Sequence, residues 1–204
     1  MKMKDFFEFS DRFAQTNFLA VPSNIKRGKA GEFLEWDVIR GNYDQIDFPI
    51  IFNQSKNNGN KLVDILGTGG PGLYLISDRM QKALEENHLT GWKTYPIKVY
   101  DKKGNGVFGY HGFSITGRCS ELDHTKSEII EKQFVPNGPF SKYYKGVWID
   151  KWDGSDFFMP LTTEEKIITK KAADVLKKNK FNVELENLAE SEIDVSNVKQ
   201  KIRE

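Results

Sequence analysis

Four glycines in the segment Leu66–Gly72, LGTGGPG, are the first residues whose type and spacing suggest chemistry. Glycine-rich turns bind phosphate where a helix begins directly after them, because the first helical N–H groups then point at the anion. Here the apolar run LYLIS follows the glycines, and a helix start is indicated only at Ser77 and Asp78. The Lys-Ser/Thr pair of a P-loop is also absent from the sequence. The segment therefore predicts a turn that leads into a strand, not a nucleotide site.

The histidines and the cysteine form no recognisable catalytic or metal-binding pattern. His88, His111 and His124 lie at no i, i+4 spacing from one another, and no paired Cys/His motif occurs. Cys119 is the only cysteine and has none of the local signatures of thiol hydrolases, so we expect a buried thiol in a reducing compartment. His111 shares strand parity with apolar residues and is expected to be packed and hydrogen-bonded. We predict no catalytic residue, no metal and no cofactor.

Aromatic and basic residues alternate in KYYKGVWIDKW, from Lys142 to Trp152. Tyr and Trp side chains supply much of the binding energy at protein interfaces and can stack on bases or sugars. The candidates for contact with a binding partner are Trp92, Tyr143, Tyr144, Trp148 and Trp152. Because only 38% of the residues are hydrophobic, we expect at least half of the aromatic side chains in this segment to lie in the core instead.

Length and charge exclude several classes of protein. A chain of 204 residues suits one medium domain or two small ones packed together. Thirty basic and 29 acidic residues give a formal net charge of +1, which makes nucleic acid an unlikely partner and excludes a strongly acidic DNA mimic. The sequence has no signal peptide and no apolar run near 18 residues, so we expect a cytoplasmic protein without a membrane span.

Local patterns predict the elements that would position these residues. GEFLEWDVIRG, residues 31–41, alternates in polarity and predicts a strand. Ser77 predicts the N-cap of a helix that stops at Asn87. WKTYPIKVY, residues 92–100, predicts one strand, DKKGNG a hairpin loop, and residues 163–178 a second helix.

Two segments are alike, ISDRMQKALEEN from Ile76 and ITKKAADVLKKN from Ile168. The expected fold class is α+β, a mixed or antiparallel sheet with two strand–helix–strand units, residues 76–100 and 168–188, related by a weak internal repeat. Chance recurrence in an α/β chain is the alternative. We expect an aromatic-rich, β-leaning part over residues 1–66 and an α+β part over residues 67–204, packed as one globular unit.

The string LYLISDRMQKALEENHLTGWKTYPIKVYDKKG, followed by GYHGFSITGRCSELD, resembles a bacterial family of immunity proteins from polymorphic toxin systems. This family is the eleventh of its series and was formerly a domain of unknown function. The resemblance rests on a strand ending in Ile-Ser, the helix DRMQKAL, the sequence LTGW and the strand YPIKVYDKKG. It implies a cytoplasmic protein that is encoded beside a toxin and protects the producing cell by binding that toxin. It implies no catalytic residues.

The expected function is therefore that of a non-enzymatic binding protein that neutralises a cognate toxin. Two alternatives stay open at this point. One is an enzyme that acts on a small ligand, with His111 and nearby acids in the site. The other is a carbohydrate- or nucleic-acid-binding module that uses the KYYKGVWIDKW surface.

Overall fold

The computed structural model describes residues 3–23, 35–44, 46–69 and 72–197. The helices are α1 (Glu35–Arg40), α2 (Asp78–Glu86) and α3 (Lys170–Lys178), with a 3₁₀ turn at Met3–Asp5. The strands in the first half of the chain are β1 (Phe6–Asp11), β2 (Ala20–Pro22), β3 (Ile50–Gln54), β4 (Ile65–Gly67), β5 (Tyr74–Ser77), β6 (Trp92–Tyr95) and β7 (Ile97–Tyr100). Those in the second half are β8 (Gly106–Val107), β9 (Tyr110–Ile115), β10 (Gly117–Cys119), β11 (Glu128–Gln133), β12 (Phe140–Lys145), β13 (Phe157–Pro160), β14 (Ile167–Thr169), β15 (Val183–Asn187) and β16 (Glu192–Asp194).

The strands form one large sheet, two four-stranded sheets and one small sheet. The five-stranded sheet has the order β10-β13-β14-β1-β15, and the four-stranded sheets have the orders β4-β5-β9-β6 and β2-β3-β7-β8. The small sheet has the order β11-β12-β16. Most pairs are antiparallel, while β10 with β13 and β3 with β7 are parallel. The predicted α+β class with mixed and antiparallel sheets is confirmed.

A main hydrophobic core joins the five-stranded sheet to both four-stranded sheets and to α2 and α3. It draws residues from both sides of position 66, for example Phe9 and Phe52 on one side and Leu84 and Phe157 on the other. A second cluster lies beside it, formed by Phe6, Cys119, Val147, Ile149, Phe158, Ile167 and Leu188. The division of the chain at residues 66 and 67 stays a prediction. No helix among the described residues is long and apolar enough to cross a bilayer.

The predicted cap signals of α2 are confirmed. Ser77 has an extended backbone, and its Oγ accepts a hydrogen bond from the Met80 N–H at 3.1 Å. Asn87 ends the helix, and its side chain donates to the Ala83 carbonyl at 2.8 Å. The segment after the glycines is strand β5, which pairs antiparallel with β4. The glycine-rich segment thus connects two strands of one sheet, with Gly70 and Pro71 outside the described residues.

The contacts at the start of α2 recur at the start of α3, 92 residues later (156 − 64 = 92). Ser77 Oγ donates to Asp64 at 2.8 Å, and Thr169 Oγ1 donates to Asp156 at 2.9 Å. Arg79 and Lys171, also 92 positions apart, make ion pairs with these carboxylates. Asn87 and Asn179, at the same spacing, cap the C-terminal ends of the two helices. Strands β5 and β6 both pair with β9, whereas β14 and β15 both pair with β1 in another sheet. Whether these similarities reflect a repeat stays a prediction.

Three predicted elements are wrong in type or extent. Residues 35–40 form helix α1, not a strand, since Glu35, Val38 and Ile39 bury one helical face at i, i+3 and i+4, while residues 31–34 of the predicted strand lie outside the described residues. Pro96 divides the predicted strand 92–100 into β6 and β7, which belong to different sheets. The second helix begins only at Lys170, because Ile167–Thr169 is a strand of the five-stranded sheet.

Replacing Asp64 by Asn should lower the free energy of unfolding at pH 7, because Arg79 and Ser77 lose a charged acceptor. The loss should be only about 1 kcal/mol, since Arg79 is partly exposed and solvent screens its ion pair. Burial alone raises the pKa of Asp64, but hydrogen bonds from Arg79 and Ser77 outweigh it and hold the pKa below its usual 3.8. The extra stability of the wild type over Asp64→Asn is therefore complete above about pH 4, and it is lost as the pH falls through the lowered pKa of Asp64 in the folded state.

Urea unfolding at pH 7 and at pH 3 measures this difference. Asp44→Asn, at an exposed position, is the control and should leave the free energy of unfolding unchanged at both pH values. An equal loss of stability at pH 7 and pH 3 for Asp64→Asn would contradict the ionic explanation.

Candidate partner-binding surface

The small sheet is the part of the fold that contributes least to the cores. Every residue of β11, β12 and β16 is exposed or half-buried. No residue of these strands belongs to either hydrophobic cluster. A three-stranded sheet ordinarily buries one face against another layer. This sheet is therefore a surface that folding leaves available for contact.

The pairing register places an apolar row across one face of the small sheet. Ile129 lies opposite Tyr144, and Tyr144 lies opposite Ile193. Residues directly opposite in antiparallel strands point to the same face, so these three side chains form one row. Phe140 and Ile129 on this face are 63% and 55% exposed. We call this face, defined by its apolar residues Ile129, Phe140, Tyr144 and Ile193, the apolar face. It also carries the Glu131–Lys142 ion pair, between Phe140 and Tyr144.

The turn between β11 and β12 carries two further exposed apolar side chains, next to Phe140 at the start of β12. Phe134 is 67% and Val135 63% exposed. The turn is closed by a hydrogen bond from the Gly138 N–H to the Val135 carbonyl at 2.8 Å. The Gln133 side chain donates to the Gly138 carbonyl at 2.7 Å, and the Phe134 ring meets Tyr143 edge to face with centroids 5.8 Å apart. We call residues 134–140 the hairpin tip.

A cleft of about 680 Å³ lies at the end of the apolar row. Ile193 belongs to both the row and the cleft wall. Four carboxylates line the cleft, and they come from three separate segments: Glu121, Asp123, Asp150 and Glu165. We call it the acidic cleft.

Only part of the negative charge in the acidic cleft is neutralised. Lys126 pairs with Asp123 at 3.3 Å and with Asp150 at 3.0 Å. Hydrogen bonds from Thr125 and Lys126 lower the pKa of Asp123, and those from Lys126 and Trp148 lower the pKa of Asp150. Both carboxylates are therefore ionised at neutral pH.

Glu121 and Glu165 carry the remaining charge. Glu121 accepts hydrogen bonds from the Thr162 N–H at 2.9 Å and from its hydroxyl at 2.7 Å. One oxygen of the Glu165 carboxylate is buried without a hydrogen-bond partner. In the part of the chain that the structure describes, neither Glu121 nor Glu165 forms an ion pair. The acidic cleft therefore holds more negative charge than its own cation neutralises.

The five predicted contact residues occupy two kinds of environment. Tyr143 and Tyr144 lie on β12, and Trp148, which is 38% exposed, donates from Nε1 to Asp150 at the acidic cleft. Trp152 packs against Phe6 and Phe158 in the second cluster, and Trp92 stacks on Phe113 at the main core. The structure thus places Tyr144 on the apolar face, Tyr143 on the opposite face of the small sheet and Trp148 beside the acidic cleft, and it places the other two at the cores. Partner contact stays a prediction for all five.

Sequence reasoning missed the hairpin tip and the acidic cleft. The tip had a usable signal, since FVPNGPF combines three large apolar residues with two prolines, an asparagine and a glycine, and residues of that turn-forming type are normally exposed. The cleft had none, because its carboxylates lie in different segments and meet only in the folded chain.

Cys119 and His111, the two groups considered for catalysis, lie in different environments. Cys119 is buried, as expected, and burial together with Glu121 and Asp153 raises the pKa of its thiol to about 12, so it is protonated at neutral pH. His111 Nε2 lies 2.7 Å from Asp78 on an exposed surface. No group of three or more His, Cys, Asp or Glu residues within the described ranges could hold a metal ion.

Two tryptophans four residues apart should respond differently to truncation. Trp152→Ala should lower the free energy of unfolding by about 3 kcal/mol, because the indole packs against Phe6 and Phe158. Trp148→Ala should cost less than about 1 kcal/mol, since that side chain is exposed and makes one surface hydrogen bond. Urea unfolding of the two variants tests this, and equal losses would contradict the assigned environments.

Comparison with known protein families identifies the family of this chain. Residues 10–170 match the model of the Immunity protein family (Imm11). The match extends over most of the chain and includes the hairpin tip and most of the residues that line the acidic cleft. No curated protein matches the chain significantly. The chain belongs to the Imm11 immunity protein family.

Proposed function

We propose that this chain neutralises a bacterial protein toxin by binding it directly, without catalysis, through the small sheet and its hairpin tip. Membership of an immunity protein family is the observation that carries the proposal. The toxin would be the product of a neighbouring gene, and binding would take place in the cytoplasm of the cell that makes both proteins.

The small sheet has the physical properties that such a binding surface needs. Large exposed apolar side chains gain free energy when a partner removes them from water. Four of these side chains are close in sequence on one hairpin: Ile129, Phe134, Val135 and Phe140. Hydrogen bonds within the turn fix the backbone before binding, so less conformational entropy is lost when the partner docks.

Co-expression with the toxin encoded beside the gene tests the proposal. Wild-type chain should restore growth, whereas Phe134→Asp and Phe140→Asp should each weaken toxin binding at least tenfold, because a carboxylate would have to be buried in an apolar contact. Phe108→Asp is the matched control. Phe108 is 89% exposed but lies outside the hairpin, so this variant should protect like the wild type.

Failure of the wild-type chain to restore growth or to bind the neighbouring toxin would overturn the proposed function. If the wild-type chain protects and both hairpin variants protect equally well, neutralisation stands but the hairpin is not the surface responsible for it. Circular dichroism of each variant confirms that the fold is retained.

The His111–Asp78 pair is the observation that favours the alternative of an enzyme, since a histidine hydrogen-bonded to a carboxylate can act as a base. On the binding proposal, His111→Ala should leave growth protection and toxin affinity unchanged. A variant that still binds the toxin but no longer protects would favour catalysis. Asp78→Asn serves as the companion variant, because it removes the charge of the pair and keeps the histidine.

We also infer that the segments around α2 and α3 are copies of one ancestral unit. The equal caps, carboxylates and ion pairs at a spacing of 92 residues support this inference. The sequences of other family members test it. Some should show greater similarity between the two segments than this chain does, and a uniform lack of such similarity would contradict duplication.

A further inference from the structure

We propose that the toxin segment bound at this surface is basic, with Lys or Arg side chains that enter the acidic cleft and apolar neighbours that pack on the apolar face. The inference rests on the proposed function and specifies the chemistry of the partner. It combines two features that meet at one residue, an uncovered sheet face and an excess of negative charge.

The apolar row leads directly to the acidic cleft. Ile129, Tyr144 and Ile193 lie side by side across the three strands, and Ile193 forms part of the cleft wall. Adjacent antiparallel strands are about 4.8 Å apart, so the row is roughly 10 Å long. A segment lying along the row would therefore present its next side chain to the cleft. Apolar residues followed by a cation match this order.

The charges of the cleft favour a cation over any other occupant. Of its four carboxylates, Asp123 and Asp150 share Lys126, while neither Glu121 nor Glu165 forms an ion pair among the described residues and Lys166 attracts Glu165 only at longer range. A guanidinium or ammonium group can form charge-assisted hydrogen bonds with such carboxylates. An acidic segment would be repelled, which adds selectivity against wrong partners.

A second copy of this chain is a weaker candidate for the same surface. A two-fold symmetric contact would use the same patch on both copies and would therefore place two negatively charged clefts in one interface. Unneutralised like charges within one interface are unfavourable. The charge distribution therefore selects a foreign basic partner, and self-association becomes an outcome that the experiment detects.

Removal of two charges from the cleft tests the inference. The probe is the toxin encoded beside the gene, purified as an inactive variant, and its affinity is measured by titration calorimetry at low and physiological salt. The double variant Glu121→Gln/Glu165→Gln keeps the shape of both side chains. Its dissociation constant should rise about tenfold or more at low salt, and the salt dependence of binding should become weaker.

The matched control is Glu85→Gln/Glu86→Gln on α2. It changes the net charge by the same amount outside the cleft, so its affinity should stay within about twofold of wild type. Light scattering of the free chain reports its oligomeric state.

The possible outcomes separate this inference from the proposed function. If the wild type binds the toxin and the cleft and control variants bind it with equal affinity, the basic-partner inference is overturned and the proposed neutralisation stands. Tighter binding by the cleft variant would point to an acidic partner and would also overturn it. A stable dimer of the free chain that the hairpin substitutions dissociate would assign the surface to self-association. Absence of wild-type binding would overturn both proposals.

Discussion

The contact on which the rest of the structure depends is the packing of Phe9 between two sheets. Its ring centroid lies 5.9 Å from that of Phe157 in its own sheet, and 5.7 Å and 6.4 Å from those of Tyr74 and Phe113 in the four-stranded sheet. All three contacts are edge to face, the geometry that the ring quadrupoles favour. These rings join the two sheets directly, and aliphatic side chains from the strands and from α2 and α3 complete the same core.

The main core takes no residue from positions 120–156, although Val147, Ile149 and Trp152 of this segment pack in the second cluster. The chain leaves the five-stranded sheet after β10 and returns to it as β13, which pairs with β10 in parallel register. Bridges between Cys119 and Trp152 and between Asp123 and Trp148 close the base of this excursion. Beyond its base lies the small sheet, in which no residue is buried. The proposed partner contact thus lies in a part of the chain that contributes little to the main core.

Elements whose signals are local could be predicted from the sequence. The caps of α2 at Ser77 and Asn87 are examples, because a cap is a contact between residues three or four positions apart. The secondary-structure type of α1 could not be predicted from the sequence. EWDVIR alternates in polarity like a strand, and it also places Val38 and Ile39 on one face of a helix. The contacts that decide between the two come from distant segments, as when Ser114 donates to the Val38 carbonyl. Tertiary context overrode a short local pattern there.

The candidate surface was only partly predictable for the same reason. Trp148 and Trp152 share a residue type and a sequence neighbourhood, but Trp152 meets Phe6 and Phe158 whereas Trp148 faces solvent. No local pattern distinguishes them. The acidic cleft likewise depends on segments around residues 121, 150 and 165 that only the fold brings together. Ile129 and Phe140 add little to folding where they stand, because both side chains are exposed to water. The proposed contact with another protein would remove them from water and gain that free energy.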